Sequence, residues 1–215
     1  MNLNLLGHGN TFTGPITFGV NASENVGVAS AITVNSLGNS TSPITFNLGG
    51  GWSFGLGAGA AADLQLPDRP IDLLNSNITM RNLSATNTLT LGAVSTRTAG
   101  AKTLNLGIGS AGGTVAGPIT NGNGTIAVTK SGTGTWALSG ANTYTGLTTI
   151  NDGGGTLAFR NASTSLPAAT SITIGGSAGL TLLDDGVGTV NLADDVAARR
   201  DSRRRSCRAR PAAGI

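Results

Sequence analysis

The chain has 215 residues, of which 34 are glycine and only 11% are charged, whereas about a quarter of an average domain is charged. Its hydrophobic content is 39%, so Thr, Ser and Asn make up the difference, and no apolar stretch is long enough to span a bilayer as a helix. The formal charge of +3 comes from the C-terminal end, because residues 1–195 carry six basic and nine acidic side chains. This mildly acidic body excludes a nucleic-acid-binding surface that runs through the protein.

Short apolar pairs two residues apart, bounded by Gly, Asn or Ser, recur over the first 60 residues. This alternation predicts short, half-buried strands joined by tight turns. These apolar positions are Ile16/Phe18, Ile32/Val34, Ile44/Phe46/Leu48 and Trp52/Phe54. Residues 55–75 interrupt the pattern, since Ala58–Leu66 is compatible with one or two helical turns that Pro67 and Pro70 would end. We therefore expect an excursion from the strand pattern at 55–75.

Strand signals resume after residue 75 and continue almost to the end of the chain. The apolar positions are Ile78/Met80, Leu89/Leu91, Leu104/Leu106, Val115, Ile126/Val128, Trp136/Leu138, Leu157/Phe159, Ile172/Ile174, Leu180/Leu182 and Val190/Leu192. From residue 126 onward, successive pairs are mostly eight to twelve residues apart. That spacing is typical of the sides of a solenoid coil and equally of the meander of a β-sandwich, so periodicity alone leaves both open.

The composition changes abruptly at Ala193. Seven arginines follow within the last 17 positions, namely Arg199, Arg200, Arg203, Arg204, Arg205, Arg208 and Arg210. Such a run is typical of a polybasic arm or a solvated tail, and it also fits translation in the wrong frame beyond the true strand pattern. We favour the last interpretation, and expect residues 1–195 to form the fold and residues 196–215 to be a disordered tail.

Residues 121–160 contain the most specific pattern in the chain. Lys130–Gly140 reads KSGTGTWALSG, followed by ANTYTG and then by Thr148-Thr149-Ile150 and Gly155-Thr156-Leu157. A weaker copy, GNTFTGPITF, occurs at residues 9–18. Self-similarity of this kind indicates units that cannot bury an apolar face alone and must stack. The motif residues are Gly132, Gly134, Trp136, Leu138, Gly140, Asn142, Tyr144, Gly146, Ile150 and Leu157.

This segment resembles the autotransporter-associated β-strand repeat, which occurs in the passenger domains of bacterial surface and secreted proteins. The resemblance implies an all-β fold, a right-handed parallel β-helix, and the role of a structural stalk in an adhesin-like protein at the cell surface or outside the cell. It implies no catalytic residues, cofactor or metal, and partners among host or matrix surface glycans or proteins rather than nucleic acid. Since no signal peptide is present, we expect a fragment of a longer exported protein whose transmembrane barrel or other anchor is missing here.

Three other patterns are compatible with catalysis. Gly175–Gly179 (GGSAG) has the spacing of a hydrolase nucleophile elbow, but another strand signal follows it and His8 is the only histidine. Gly107–Gly112 fits a dinucleotide fingerprint without the helix that would receive the phosphates. Asp184-Asp185 is a carboxylate pair, but neighbours on a strand point to opposite faces.

The alternative function is therefore a β-helical polysaccharide-degrading enzyme or a carbohydrate-binding module. Trp136 would suit a sugar-stacking platform, although its alternation with Leu138 favours core packing. Tyr144 lies next to a Thr-Gly turn, and the sequence leaves its role undecided.

Overall fold

The computed structural model describes residues 13–19, 41–47, 52–56, 58, 60, 63–74, 77–107, 109, 111–153, 155–160, 165–167 and 170–183. The sixteen elements named within these ranges are all short strands, and their described pairings are all parallel. In chain order they are β1 (Ile16–Phe18), β2 (Ile44–Phe46), β3 (Trp52–Leu56), β4 (Leu64–Leu66), β5 (Ile71–Asp72), β6 (Ile78–Asn82), β7 (Leu89–Leu91), β8 (Val94–Ser95), β9 (Ala101–Leu106), β10 (Gly113–Val115), β11 (Thr125–Lys130), β12 (Thr135–Leu138), β13 (Thr148–Ile150), β14 (Thr156–Arg160), β15 (Ile172–Ile174) and β16 (Gly179–Leu183).

The strands form three sheets. From β3 to β10 the chain visits the three sheets in rotation, and beyond β10 the described strands alternate between two of them. Sheet A contains β1, β2, β5 and β8, sheet B contains β3, β6, β9, β11, β13 and β15, and sheet C contains β4, β7, β10, β12, β14 and β16. Side-chain hydrogen bonds between adjacent coils join residues 22 to 27 positions apart, so one coil has about that length. One third of this coil length matches the spacing between successive apolar pairs in the sequence.

The fold is therefore a parallel β-solenoid of about five turns. This confirms the all-β solenoid prediction and excludes the sandwich, whose meander would require antiparallel pairs. The right-handed sense of the coil stays a prediction.

The core is a column formed by the inward side chains of all three sheets. In β11 the burial alternates, with Ile126, Val128 and Lys130 buried and the residues between them partly or fully exposed. Each inward side chain stacks on its counterpart one coil away, as Leu104 does on Val128. Since a fully buried aliphatic side chain contributes about 1.5–3 kcal/mol, stacking along the column is what holds the coils together.

Three phenylalanines form the apolar filling at the N-terminal end of the described column. Phe18 and Phe46 occupy paired positions on adjacent strands of sheet A, and their rings stack with centroids 5.2 Å apart. Phe54 of sheet B meets Phe46 edge-on at 5.4 Å. Offset and edge-to-face arrangements are the favoured geometries of aromatic pairs, so this cluster joins two sheets across the column.

The prediction of a helical turn within Ala58–Leu66 is wrong for the residues of this range that the structure describes. Leu64–Leu66 is strand β4, and it pairs in parallel with β7, with Leu64 opposite Leu89 and Leu66 opposite Leu91. Burial of both leucines against the column outweighs the helix propensity of the preceding alanines. Ile71 then begins β5 in sheet A, so residues 64–72 belong to the column.

Several other predictions concern residues that the structure does not describe. Ile32/Val34, Val190/Leu192, the start of the weaker copy (residues 9–12) and the tail at 196–215 lie outside the described residues, and the boundary at 195 stays a prediction. Of the weaker copy, Ile16–Phe18 is a strand of sheet A, whereas the corresponding Thr148–Ile150 lies in sheet B. The two copies therefore occupy different sides of the column.

Candidate functional site: the repeat segment

The aromatic and aliphatic motif residues of the repeat lie inside the column. Trp136 is paired with Leu157, and Leu138 with Phe159, across β12 and β14, and all four are at most 1% exposed. The indole ring lies against the backbone of Gly113 on the preceding coil, where a Cβ would come within 2.9 Å of it. The prediction that Trp136 packs in the core is confirmed, and its ring has no face available for a sugar.

Tyr144 is also buried, which settles the role that the sequence left undecided. Its side chain is 0% exposed, and its hydroxyl shares a 2.8 Å hydrogen bond with the Thr148 hydroxyl. The Thr148 hydroxyl lies 3.4 Å from that of Thr170 on the next coil, and Thr170 donates to the Gly146 carbonyl. Burial raises the pKa of Tyr144 well above its ordinary value. The aromatic ring of Tyr144 packs inside the column, and the hydrogen bonds from Tyr144 through Thr148 to Thr170 connect two adjacent coils.

Asn142 connects three successive coils. Its side-chain oxygen accepts the backbone N–H of Ile119 at 2.8 Å, and its amide nitrogen donates to the Ser165 carbonyl at 2.5 Å. These partners lie 23 residues before and 23 residues after it, and Asn142 is 4% exposed. The amide carries its acceptor and its donors on two separate atoms, so Asn142 can bond to the preceding and the following coil at the same time.

On the side of the column that sheet A occupies, single bridges and side-chain hydrogen bonds between coils replace strands beyond β8. Beyond β8 its side is continued by the isolated parallel bridge between Val94 and Ile119, and then by the hydrogen bond from Thr143 N–H to the Ile119 carbonyl. With short ladders on this side, side-chain amides such as Asn142 take over the pairing of backbone groups, which would otherwise be buried without partners.

The glycines of the motif allow close contact between coils. Gly140 lies directly over Gly117 of the preceding coil, and a Cβ on Gly140 would be 2.3 Å from the carbonyl carbon and oxygen of Gly117. Gly132 has a φ of 69°, the left-handed region that glycine occupies without steric cost. Gly134 and Gly146 join coils through backbone hydrogen bonds, Gly134 accepting from Thr156 and Gly146 donating to Ile126.

The last two motif residues are apolar members of the column. Ile150 in β13 and Leu157 in β14 are both 0% exposed. Ile150 lies opposite Lys130 in the ladder between β11 and β13, and Leu157 lies under Leu180 of the next coil. Together with Trp136, Leu138 and Tyr144 they show that the motif specifies packing positions.

Lys130 is a charged side chain at an inward position of the column. It is 0% exposed, and its ladder neighbours are Leu106 and Ile150. The ammonium Nζ donates to the carbonyls of Ser131 at 2.5 Å and Gly132 at 2.8 Å. Burial lowers the pKa of Lys130 to about 8, because desolvation disfavours the charged form. Lys130 continues the inward alternation of Ile126 and Val128, although the sequence analysis did not identify it as a buried residue.

An ion pair on sheet A was also missed by the sequence reasoning. The carboxylate of Asp72 accepts the Nε–H of Arg97 at 2.5 Å and the Arg97 backbone N–H at 3.2 Å. A terminal guanidinium nitrogen of Arg97 donates to the Thr45 hydroxyl at 3.4 Å, so the group spans three coils. Charges 25 positions apart carry no pattern in the sequence, and only the coil length brings them together.

The patterns that were compatible with catalysis have other roles where they are described. Ser177 lies in the turn between β15 and β16, and it donates both its hydroxyl and its backbone N–H to the carboxylate of Asp152, which lowers the pKa of Asp152. A strand follows this Gly-Ser turn, and a strand, β10, also follows the Gly107–Gly112 segment. Asp184 and Asp185 lie outside the described residues.

Within the described ranges no group of three or more His, Cys, Asp or Glu side chains is arranged to hold a metal ion. The same described residues form no helix that is long and apolar enough to cross a membrane.

Comparison with protein families agrees with the motif. Residues 128–159 match the family model of the passenger-associated-transport-repeat. These residues run from the middle of β11 to the end of β14, slightly more than one coil, and they include all ten motif residues. No curated protein and no solved structure matches the chain. The suspected repeat is thus shown for this segment of the column.

Proposed function

We propose that this chain is a structural segment of a bacterial autotransporter-like passenger, a stalk of an adhesin-like protein exposed at the cell surface or secreted. One observation carries the proposal. The passenger-associated repeat coincides with a coil of the solenoid, and its motif residues serve to stack that coil on its neighbours. A repeat whose motif residues are packing positions inside the column serves to extend that column.

The mechanical role follows from the parallel ladders. Paired strands in adjacent coils lie about 4.8 Å apart, so about five turns extend the stalk by roughly 24 Å. Backbone hydrogen bonds to the coils on either side resist bending, and the column needs no metal or disulfide for this stiffness. In passenger export, a coil that reaches the outside of the cell would fold onto a neighbouring coil that has already formed, because each coil pairs with the coils on either side.

The proposal is tested by displaying the chain. The 215-residue chain is placed between a signal peptide and the barrel translocator of an autotransporter, with an epitope tag at its N-terminal end, in a Gram-negative host. We expect the tag to be cleaved by protease added to intact cells, and the folded column to resist. Retention of the chain inside the cell, when a control passenger on the same barrel is displayed, would contradict the proposal.

The enzymatic alternative has a separate readout. The purified chain is incubated with polygalacturonate and other glycans, and release of reducing ends is measured. We expect no cleavage. Cleavage that is lost in both Asp184→Asn and Asp185→Asn would contradict the proposed stalk function and support a polysaccharide-degrading enzyme.

A further inference from the structure

The apolar exposure of the described column is concentrated where β15 and β16 end it, and we call this surface the column end. Eight partly buried hydrophobic residues pack against the core in the described ranges, and six of them belong to the last coil. These six are Leu166, Ile172, Ile174, Ala178, Leu180 and Leu182. One coil back, Ile150, Leu157 and Phe159 are 0% exposed. The inward side chains of the column are therefore only partly covered at the column end.

The column end also presents free backbone groups. β15 and β16 are the edge strands of sheets B and C, since no described strand pairs beyond them. Backbone hydrogen bonds to the preceding coil come from alternate residues, as in the bond from the Gly175 N–H to the Ile150 carbonyl. The residues between them turn their N–H and C=O groups towards the free edge. These residues are Ile172, Ile174, Leu180 and Leu182.

The column end lacks the features that usually protect an edge strand. The described residues of the last coil, 165–167 and 170–183, carry no charged side chain. Neither β15 (ITI) nor β16 (GLTLL) contains a proline. Because charges, prolines and covering segments are what keep strand edges from pairing with other chains, an edge without them is a template for a further strand.

The residues that follow β16 in the sequence do not suit this edge. In the described coils, nine to eleven residues connect a strand of sheet C to the next strand of sheet B. Only six residues lie between Leu183 and Val190, the first residue of the next apolar pair. A connection of ordinary length would begin the strand at residues 193–195, where Asp194 and Asp195 would place one carboxylate on the inward face. Burial of an unpaired carboxylate is costly, so the edge is left for another chain.

The opposite end of the described column does not offer a matching surface. β3 and β4 are the edge strands of sheets B and C at that end. Their inward residues Phe54, Leu56, Leu64 and Leu66 are at most 4% exposed. The surface that matches the column end is therefore the column end of a second copy, and a contact between like ends closes on two chains.

We infer that two copies of this chain associate end to end through the column end, with β15 of one copy pairing antiparallel with β16 of the other. A two-fold axis through the turn at residues 175–178 produces this arrangement, because β15 runs towards that turn and β16 runs away from it. The aliphatic side chains of the two strands then pack on each other, and their free N–H and C=O groups pair. Residues 1–195 carry nine acidic and six basic side chains, but the described part of the last coil is uncharged, so like charges do not meet in this contact. The inference goes beyond the proposed function and concerns the 215-residue chain in solution.

The first test measures the mass of the full chain by size-exclusion chromatography with light scattering over a wide range of concentrations. We expect twice the 21.2 kDa of one chain at high concentration, and no larger species. Raising the salt concentration should leave the dimer intact, because apolar packing and backbone pairing are not weakened by charge screening. Association through the arginine-rich residues 199–210 would instead be lost in high salt.

Leu182→Lys and Thr181→Lys are a matched pair of variants on one strand. Leu182 points inward, opposite Phe159 of the preceding coil, whereas Thr181 points outward. Leu182→Lys should weaken the dimer by about 100-fold or more, because the two-fold axis buries the new charge twice. Thr181→Lys should leave dimerisation unchanged. Far-UV circular dichroism and urea midpoints verify that both variants are folded.

Hydrogen exchange of the unmodified chain gives a second readout, which does not depend on the folding of any variant. The amides of Ile172, Ile174, Leu180 and Leu182 should be protected at concentrations where the dimer forms, and should exchange freely on dilution. Protection of these amides in the monomer would show that residues 184–215 of the same chain cover the edge, and would overturn the inference.

Four other results would also overturn it: a monomer at every concentration, species that grow beyond two chains, a dimer that dissociates in high salt, and equal weakening by Thr181→Lys. None of them affects the display experiment, so failure of the dimer and failure of the proposed function are distinguishable.

Discussion

Replacing Asn142 by alanine should destabilise the column strongly, because the change removes both hydrogen bonds between coils. It leaves the Ile119 N–H and the Ser165 carbonyl without these partners at a corner where Asn142 is only 4% exposed. Each buried polar group without a partner costs about 1–3 kcal/mol, which gives about 2–6 kcal/mol for the pair. That is a large part of the total stability of a typical domain, about 5–15 kcal/mol.

The measurement is the urea midpoint followed by far-UV circular dichroism, with a common m value for all variants. Asn121→Ala is the matched control, because Asn121 makes three comparable contacts, to Ile126 N–H at 3.0 Å and to the N–H and hydroxyl of Thr145 at 3.2 and 2.8 Å. Asn121 is partly exposed, so water replaces its contacts and the expected loss is below about 1 kcal/mol. Equal losses in the two variants would refute the argument from burial.

Asn142→Asp examines the donor separately from the acceptor. A carboxylate still accepts from Ile119 N–H, but it faces the Ser165 carbonyl, which offers no proton. A buried carboxyl in that position should have a folded-state pKa above its unfolded value, so stability is lost as pH rises through this window. We expect the variant to recover as pH falls towards 4, and a flat profile would contradict the assignment of the two bonds.

Three further predictions concern the same column. Trp136→Ala should cost about 3–5 kcal/mol as a large-to-small core change, measured by the denaturant midpoint, and an unmoved midpoint would place the indole outside the core. Gly140→Ala should cost about 2 kcal/mol or more by the same assay, because the new Cβ would meet the backbone of Gly117, and Ala141→Gly at an exposed neighbour is its control. Lys130 has a pKa of about 8 when folded against 10.5 as its ordinary value, so the unfolded chain binds more protons between these values and stability should rise with pH across them. Lys130→Met should remove that rise, and its persistence would show that another group is responsible.

Local pattern was sufficient for the strands and for the direction of their apolar side chains. A strand places alternate residues on opposite faces, so pairs such as Trp136/Leu138 and Leu157/Phe159 indicate an inward row without knowledge of any neighbour. The repeat motif could be recognised for the same reason, since a unit that stacks on copies of itself must carry the same packing residues in each coil. The short strand Leu64–Leu66 was not predicted, because the alanines that precede it favour a helix. Only burial of the strand against β7 outweighs that preference.

The polar contacts depended on the tertiary structure. Asn142 and Tyr144 could be identified as motif residues, and Lys130 as part of the repeat segment. Nothing adjacent in the chain indicates that their partners or packing neighbours lie mostly about one coil away. The ion pair of Asp72 with Arg97 follows from the same cause. Apolar burial is non-directional and tolerates a few residues of variation in coil length, so the sequence alone determines it. A hydrogen bond requires its two atoms within about 3 Å, and the coil length and register that bring them together are set only when the whole column forms.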